Sequence, residues 1–137
     1  MLRLKVKVER IDGSKTINVI AIANSGFIGS KPEILLPDHM VRELRLHEIC
    51  NPQASIKISG DGREIPLIRY SEAVNVYVVE EDRVEGPVLS DVLSISGIKN
   101  ILLNDKLLGK LNVVLLDFGE GIWCFRDELG VKRRSSA

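Results

Sequence analysis

The chain repeats short stretches in which apolar and polar residues alternate, and this period of two is typical of half-buried β-strands. Residues 2–9 carry leucine or valine at every second position between charged residues. A turn at 12–14 leads to a second, more apolar strand at 16–23. Another short strand is expected at 33–37, with Pro37 suited to the first turn of a helix. The first third of the chain therefore predicts three strands and one helix.

The remainder of the chain predicts further strands, arranged largely as hairpins. Gly60-Asp61-Gly62 separates two alternating stretches, 55–59 and 64–70, and Asp-Gly in this setting is a strong hairpin signal. Four more strands are expected, at 73–81, 87–95, 112–118 and 121–125. With two short helices, these strands predict a mostly β fold.

Two segments of the chain are similar to each other. Residues 34–44 and 101–111 agree at Ile, Leu, Leu, Asp and the final Leu. Internal similarity of this kind indicates two related halves, each a strand that leads into a short helix. Asn104 would then cap the second helix, because its side-chain oxygen can accept a backbone N–H.

The composition is that of one ordinary domain. At 137 residues the chain can bury one core, and the domain is expected at 1–128, followed by a polar tail at 129–137. Lys plus Arg equals Asp plus Glu at 19 each, so neither nucleic acid nor a membrane is an expected partner. The charged first strand is unlike a signal peptide, and no stretch is apolar enough to span a bilayer. A cytoplasmic location with free thiols at Cys50 and Cys124 is expected.

One loop has an unusual composition for a turn. The second strand runs straight into Asn24-Ser25-Gly26 and then into Phe27 and Ile28. Surface turns are rarely walled in by apolar residues on both sides. We therefore expect this loop to have more than a connecting role.

With these elements in this order, the chain resembles the retropepsin family, the single-domain aspartic peptidases of retroviruses and their cellular and prokaryotic relatives. Asn-Ser-Gly at 24–26 stands where that family has Asp-Thr/Ser-Gly, and the hairpin at 60–62 stands where it carries its flap. The apolar strand and helix after residue 33 are similar to its prokaryotic members. Residues 101–111 correspond to its apolar-apolar-Gly stretch and following helix. The resemblance covers residues 2–126.

The resemblance implies a closed β-barrel-like fold with internal pseudo-twofold symmetry, two short helices and no metal or cofactor. It implies a homodimer, because one loop supplies half of a catalytic pair, and Leu2, Leu4 and residues 122–125 would supply apolar terminal strands for the interface. Ser25 would hold the loop through its hydroxyl, and Gly26 would let a substrate backbone approach. The residues expected to bind an extended peptide or unfolded segment under the flap are Phe27, Ile28, Gly60, Asp61, Gly62, Ile98, Leu102 and Leu103.

The chain departs from the family pattern at two positions. Asn24 stands at the catalytic Asp, and Asn104 stands where the family usually has Gly. Aspartic peptidases need two carboxyl groups that share one proton, one to activate water and one to donate to the scissile carbonyl. An amide neither accepts nor releases a proton near neutral pH. The chain as written is therefore expected to bind peptide without cleaving it.

Three explanations of Asn24 follow from the sequence. It is a natural residue of a pseudo-peptidase, or an introduced Asp→Asn change of a kind that traps substrate, or part of a structural turn in an unrelated barrel. A second function class also fits, a non-catalytic peptide-binding or assembly module built on the same barrel. An apolar cleft under a long hairpin would favour the peptidase-like alternative.

Other groups of polar residues predict no further site. His39, Glu43 and His47 share one helical face without the spacing of a known zinc motif, so a solvated face is expected. The glycine-rich hairpin lacks the strand-to-helix context of a phosphate loop. Asp91 and Asp117 each follow apolar residues and are interpreted as strand ends.

Overall fold

The structure, a computed structural model, describes residues 1–24 and 26–137, and across them the chain is mostly β with two short α-helices. Ser25, predicted to hold the loop, lies outside the described residues. The strands are β1 (Arg3–Arg10), β2 (Thr16–Ala23), β3 (Glu33–Leu35), β4 (Gln53–Ile58), β5 (Glu64–Val79), β6 (Val84–Ser94), β7 (Leu102–Leu103), β8 (Val113–Asp117), β9 (Ile122–Phe125) and β10 (Arg134–Ser135). The helices are α1 (Asp38–Leu44) and α2 (Asp105–Lys110), with 3-10 turns at Leu46–Glu48 and Arg126–Glu128. None of these helices is long and apolar enough to cross a membrane.

The strands form two sheets. Seven strands make the larger sheet in the order β1-β2-β7-β3-β6-β5-β4, and β1 also pairs with β5. The smaller sheet has the order β10-β9-β8. Strand β4 therefore lies at an edge of the larger sheet, and β8 at an edge of the smaller one.

The two similar segments adopt the same local structure, as predicted. Each is a short strand followed by a short helix, β3 with α1 and β7 with α2. The two strands pair antiparallel in the middle of the sheet, with Ile34 opposite Leu103. Asn104 is the N-cap of α2 and its side chain accepts the N–H of Leu107 at 3.0 Å, which confirms its predicted capping role.

Strand β5 differs from the prediction of two separate strands. It runs for 16 residues without a break, although its register against β6 shifts between Tyr70 and Val74. Glu72 has a φ of 47° within this irregularity, and its N–H donates to the Asp91 side chain at 2.8 Å. A bulge of this kind bends a strand without ending it. Residues 71–72, between the two expected strands, belong to the continuous strand β5 and lie at this bulge.

The core lies between the sheets and the two helices. Its largest fully buried side chains include Leu4, Ile34, Leu107, Trp123 and Phe125. Trp123 and Phe125 meet edge to face, with ring centroids 5.0 Å apart. Apart from these two rings, the largest fully buried side chains of the core are aliphatic.

The terminal side chains predicted for a dimer interface are instead part of this core. Leu2 and Leu4 are buried, as are residues 123–125. Their apolar surface is already covered within one protomer. That part of the interface prediction is wrong.

The C-terminal segment, predicted as a polar tail at 129–137, is also built into the fold. Strand β10 pairs with β9, and the N–H of Ala137 donates to the carbonyl of Arg3 at 2.8 Å. Arg134 is 8% exposed and binds Glu128 at 2.7 Å and Asp82 at 2.8 Å. The charge of Arg134 is therefore buried against Glu128, with the more exposed Asp82 as its second partner, whereas sequence alone suggested a solvated basic run.

The ion pair between Arg134 and Glu128 yields a stability prediction. Glu128 accepts hydrogen bonds from Arg134 and from the N–H of Phe125, so Glu128→Gln should lower the free energy of unfolding by about 2 kcal/mol near pH 7. The neighbouring Arg134 is the main cause that lowers the pKa of Glu128 from 4.5 to about 2. The contribution is therefore present above pH 4.5 and is lost as the pH falls towards 2.

Urea unfolding of both proteins across this pH range measures the effect. The difference in the free energy of unfolding between wild type and Glu128→Gln should become smaller as the pH falls below 4.5. Glu43→Gln, at an exposed position on α1, is the control and should change little. A difference in the free energy of unfolding that stays constant with pH would contradict a stabilising ion pair between Glu128 and Arg134.

Candidate functional site

The loop after β2 is shaped by the backbone and side chain of Asn24. Its N–H donates to the carbonyl of Leu103 at 3.1 Å, which ties the end of β2 to β7. Its side-chain Oδ1 accepts the N–H of Gly26 at 3.1 Å, and its carbonyl accepts the N–H of Phe27 at 3.0 Å. Asn24 thus stabilises a tight turn through hydrogen bonds to the residues that follow it. An aspartate could accept the same hydrogen bonds.

The start of α2 holds the far side of the same loop. The N–H of Asp105 donates to the carbonyl of Phe27 at 3.1 Å, and its carboxylate accepts the N–H of Gly29 at 3.2 Å. The loop therefore leans on both β7 and α2.

A cavity of about 330 Å³ lies between this loop and the hairpin formed by β4 and β5. We call it the cleft cavity. The predicted residues Gly26, Phe27, Ile28, Gly60 and Leu102 line it. The other lining residues are Leu35, Lys57, Ile58, Ser59, Ile65, Leu93 and Ile95. The loop and the hairpin, 30 residues apart in sequence, thus meet across a mostly apolar pocket.

Five predicted residues of the described part of the chain are not among those that line the cleft cavity, and Asn24, at the start of the loop, is one of them. Leu103 is fully buried and faces the main core, so its predicted contact with peptide is not possible in this arrangement. Ile98 packs against a small cluster that includes Leu67 and is not among the residues that line the cavity. Asp61 and Gly62 lie at the hairpin tip, beyond the lining residues.

The tip of the hairpin is held by local polar contacts alone. Ser59 and Arg63 are joined by a backbone hydrogen bond of 2.8 Å, and Gly62 turns the chain with a φ of 84°. Asp61 accepts the hydroxyl of Ser59 and the N–H of Arg63, which lowers the pKa of its carboxyl group. A Cβ added at Gly60 or Gly62 would meet no atom within 4 Å. The tip therefore extends into solvent without packing contacts at its glycines.

A chain of charged residues beside the cavity escaped the sequence prediction. Lys57 on β4 binds Glu33 at 2.6 Å and the carbonyl of Ile28 at 2.9 Å. Arg69 on β5 binds Glu33 and Asp91, each at 2.7 Å. Burial works against the charged guanidinium of Arg69, but these two carboxylates outweigh it and raise its pKa. Both arms of the hairpin are thus fastened to the single carboxylate of Glu33.

Asn104 connects this charged chain to α2. It is fully buried, accepts the N–H of Glu33 at 2.9 Å and donates to the carbonyl of Lys31 at 2.8 Å. Its Nδ2 also lies 3.3 Å from the carboxylate of Glu33. A glycine could make none of these side-chain contacts. The side chain of Asn104 therefore has a structural role at this position.

The remaining candidates contribute no site. Asp91 is buried within β6, so its interpretation as a strand end is wrong, whereas Asp117 does end β8. His39 and Glu43 lie exposed on α1, and His47 lies in the following 3-10 turn. No cluster able to hold a metal ion occurs within residues 1–24 and 26–137. Cys50 and Cys124 are both free, and burial raises the pKa of each thiol.

The chain matches no protein-family model and no curated protein sequence. The loop, the cleft cavity and the hairpin are therefore the features that bear on function.

The hairpin geometry predicts a difference in backbone dynamics. Residues 59–63 should exchange amide hydrogens faster than residues 18–23 of β2, because the tip has only local hydrogen bonds while that part of β2 pairs with β1 and, at Ile22 and Ala23, also with β7. Hydrogen exchange followed by mass spectrometry or NMR measures both segments in one experiment. Equal protection in the two segments would show that the hairpin is a rigid structural element.

Proposed function

We propose that this chain is a retropepsin-type protein that binds extended peptides under the β4–β5 hairpin and works as a twofold homodimer. The observation that carries the proposal is the cleft cavity, where Gly26, Phe27 and Ile28 of the loop face a glycine-tipped hairpin across apolar side chains. Ligand sites are typically concave and apolar with a few polar groups. An assembly module without a ligand would have no need of this opening.

The proposed fold is a closed barrel with internal pseudo-twofold symmetry. Pairing of β1 with β5 supports closure, since those strands lie on opposite sides of β2, β7, β3 and β6 in the sheet order. Antiparallel pairing of β3 with β7, each followed by a helix, supports the symmetry. The two supporting observations are independent of each other.

Asn24 sets the proposed chemistry. In a twofold dimer, the two copies of this residue would meet without a carboxylate, so no group could deprotonate water or protonate the scissile carbonyl. The loop would still present backbone groups and an apolar wall to a peptide. We therefore propose binding without cleavage for the chain as written.

The free edge of β8 is the proposed dimer contact. Among the described residues β8 pairs with β9 on one side alone, while Leu116 and Phe118 expose 40% and 68% of their surface. An unpaired, apolar edge strand readily adds another strand. A second copy of β8, related by a twofold axis, would cover both the edge and these side chains.

The alternative function, an assembly module, draws on the same edge. It needs the β8 contact but leaves the cleft cavity without a role. Peptide binding uses both features, which is why we favour it. The two functions separate in the experiments below, because only one of them predicts activity on changing residue 24.

Asn24→Asp should create peptidase activity. Aspartate keeps the shape of the side chain and the oxygen that accepts the N–H of Gly26, so the fold should be retained. Two carboxyl groups in contact would raise the pKa of one of them, so that one proton is shared from about pH 4 to 6. Cleavage of an unstructured protein in this range should exceed the wild type by at least about a hundredfold and should stop with a transition-state-mimicking aspartic-peptidase inhibitor.

The matched control is Asn18→Asp, which adds the same charge at an exposed position on β2. It should remain as inactive as the wild type. If Asn24→Asp is folded and dimeric yet inert throughout this pH range, the peptidase mechanism is lost. The remaining proposal would then be a non-catalytic role in peptide binding or assembly.

The β8 contact predicts a dimer that one charge can break. The wild type should sediment as a dimer at tens of micromolar, a concentration at which an interface of ordinary size is populated. Leu116→Lys should raise the dimer dissociation constant by at least about tenfold, because the contact would bury an unpaired ammonium group. Leu89→Lys on β6 is the control, since Leu89 has almost the same exposure, 41% against 40%. A monomeric wild type, or equal effects of both changes, would contradict the proposed contact.

A further inference from the structure

Four charged side chains beside the cleft cavity alternate in sign. Lys57 contacts Glu33, Glu33 contacts Arg69, and Arg69 contacts Asp91. The two carboxylates are almost fully buried, at 3% and 2% exposure, and each cation is 21% exposed. A linear chain with this order has a positive group at one end and a negative group at the other.

The positive end is the one that meets the cleft cavity. Lys57 is the one charged residue among the described residues that line it, whereas Glu33 lies behind the lining. Asp91, at the other end, lines a separate depression near Glu72 and Lys106. A group that enters the cleft cavity therefore meets an ammonium before it meets any carboxylate, in surroundings that screen charge less than water does.

Lys57 also has donor capacity to spare. An ammonium group carries three N–H donors, and two of them are used by Glu33 and by the carbonyl of Ile28. The ammonium lies 4.9 Å from the ring centroid of Phe27, which helps to fix its position. One donor remains for an acceptor supplied by a ligand.

We propose that Lys57 is a specificity-determining residue that selects peptides with a carboxylate side chain in the cleft cavity. The inference rests on the proposed peptide binding and adds the class of ligand. The methylene groups of a glutamate would pack on the apolar lining while its carboxylate accepts the free N–H of Lys57. The ammonium group of Lys57 would repel a lysine in the same place. A glutamine could still accept the N–H of Lys57 but would lose the attraction between opposite charges.

The test uses short, otherwise neutral and apolar peptides in which one glutamate is moved through each position in turn. Every peptide has a partner with glutamine and another with lysine at the same position. Binding to the unmodified protein is measured by fluorescence anisotropy at neutral pH. At the position that occupies the cavity, glutamate should bind about tenfold more tightly than glutamine, and lysine should bind most weakly.

Variants assign that preference to Lys57. Lys57→Met keeps an apolar stem and should bring the glutamate-to-glutamine affinity ratio close to one, while Lys57→Arg should restore most of it. Lys5→Met, at an exposed position on β1, should leave the ratio unchanged. Because the peptide series is measured first on the wild type, the proposal stays testable even if Lys57→Met does not fold.

The outcomes separate the two levels of inference. If no peptide of any series binds, the proposed peptide binding itself fails, and this proposal fails with it. If peptides bind but every glutamate–glutamine pair has equal affinity, peptide binding stands and the role of Lys57 is overturned. A preference that survives in Lys57→Met also overturns it.

Discussion

The fold around the candidate site depends on one buried carboxylate, that of Glu33. It accepts Lys57 from one arm of the hairpin and Arg69 from the other, while its backbone N–H is held by Asn104. A buried charge is costly unless every partner is in place. Removal of any one partner of Glu33 would therefore weaken the contacts that the other partners make with it. The loop, the hairpin and α2 keep their relative positions because they share this group.

The same constraint explains why the cleft cavity exists next to a polar cluster. Apolar side chains alone would collapse onto one another, since close packing is the favourable state of a core. Arg69 and Lys57 require their carboxylates at fixed distances, so one arm is attached at the base of the hairpin and the other next to the tip, while the tip itself is unattached. The ion pairs thus hold the strands around the cleft cavity, and its walls are supplied by hydrophobic residues of the loop, the hairpin and the neighbouring strands.

Local features of the sequence were enough to predict β2, the turn of the hairpin and the N-cap at Asn104, because each depends on residues a few positions apart. Lys57 was missed for the opposite reason. It sits between two isoleucines, and alternation alone assigns Ile56 and Ile58 to the interior, yet both are exposed and Lys57 is turned inward by Glu33. The burial of Asp91 and the addition of β10 likewise depend on partners distant in sequence, which no local pattern contains.

The long strand β5 has a mechanical consequence. Its first part forms one arm of the hairpin, its last part pairs with β1, and the bend at Glu72 lies between them. Because the strand is continuous, a displacement of the part on one side of the bend is passed to the part on the other side. The bend is held by Asp91, which also binds Arg69. A ligand that displaces the first part of β5 at the cavity would therefore also twist the last part of β5, where it pairs with β1.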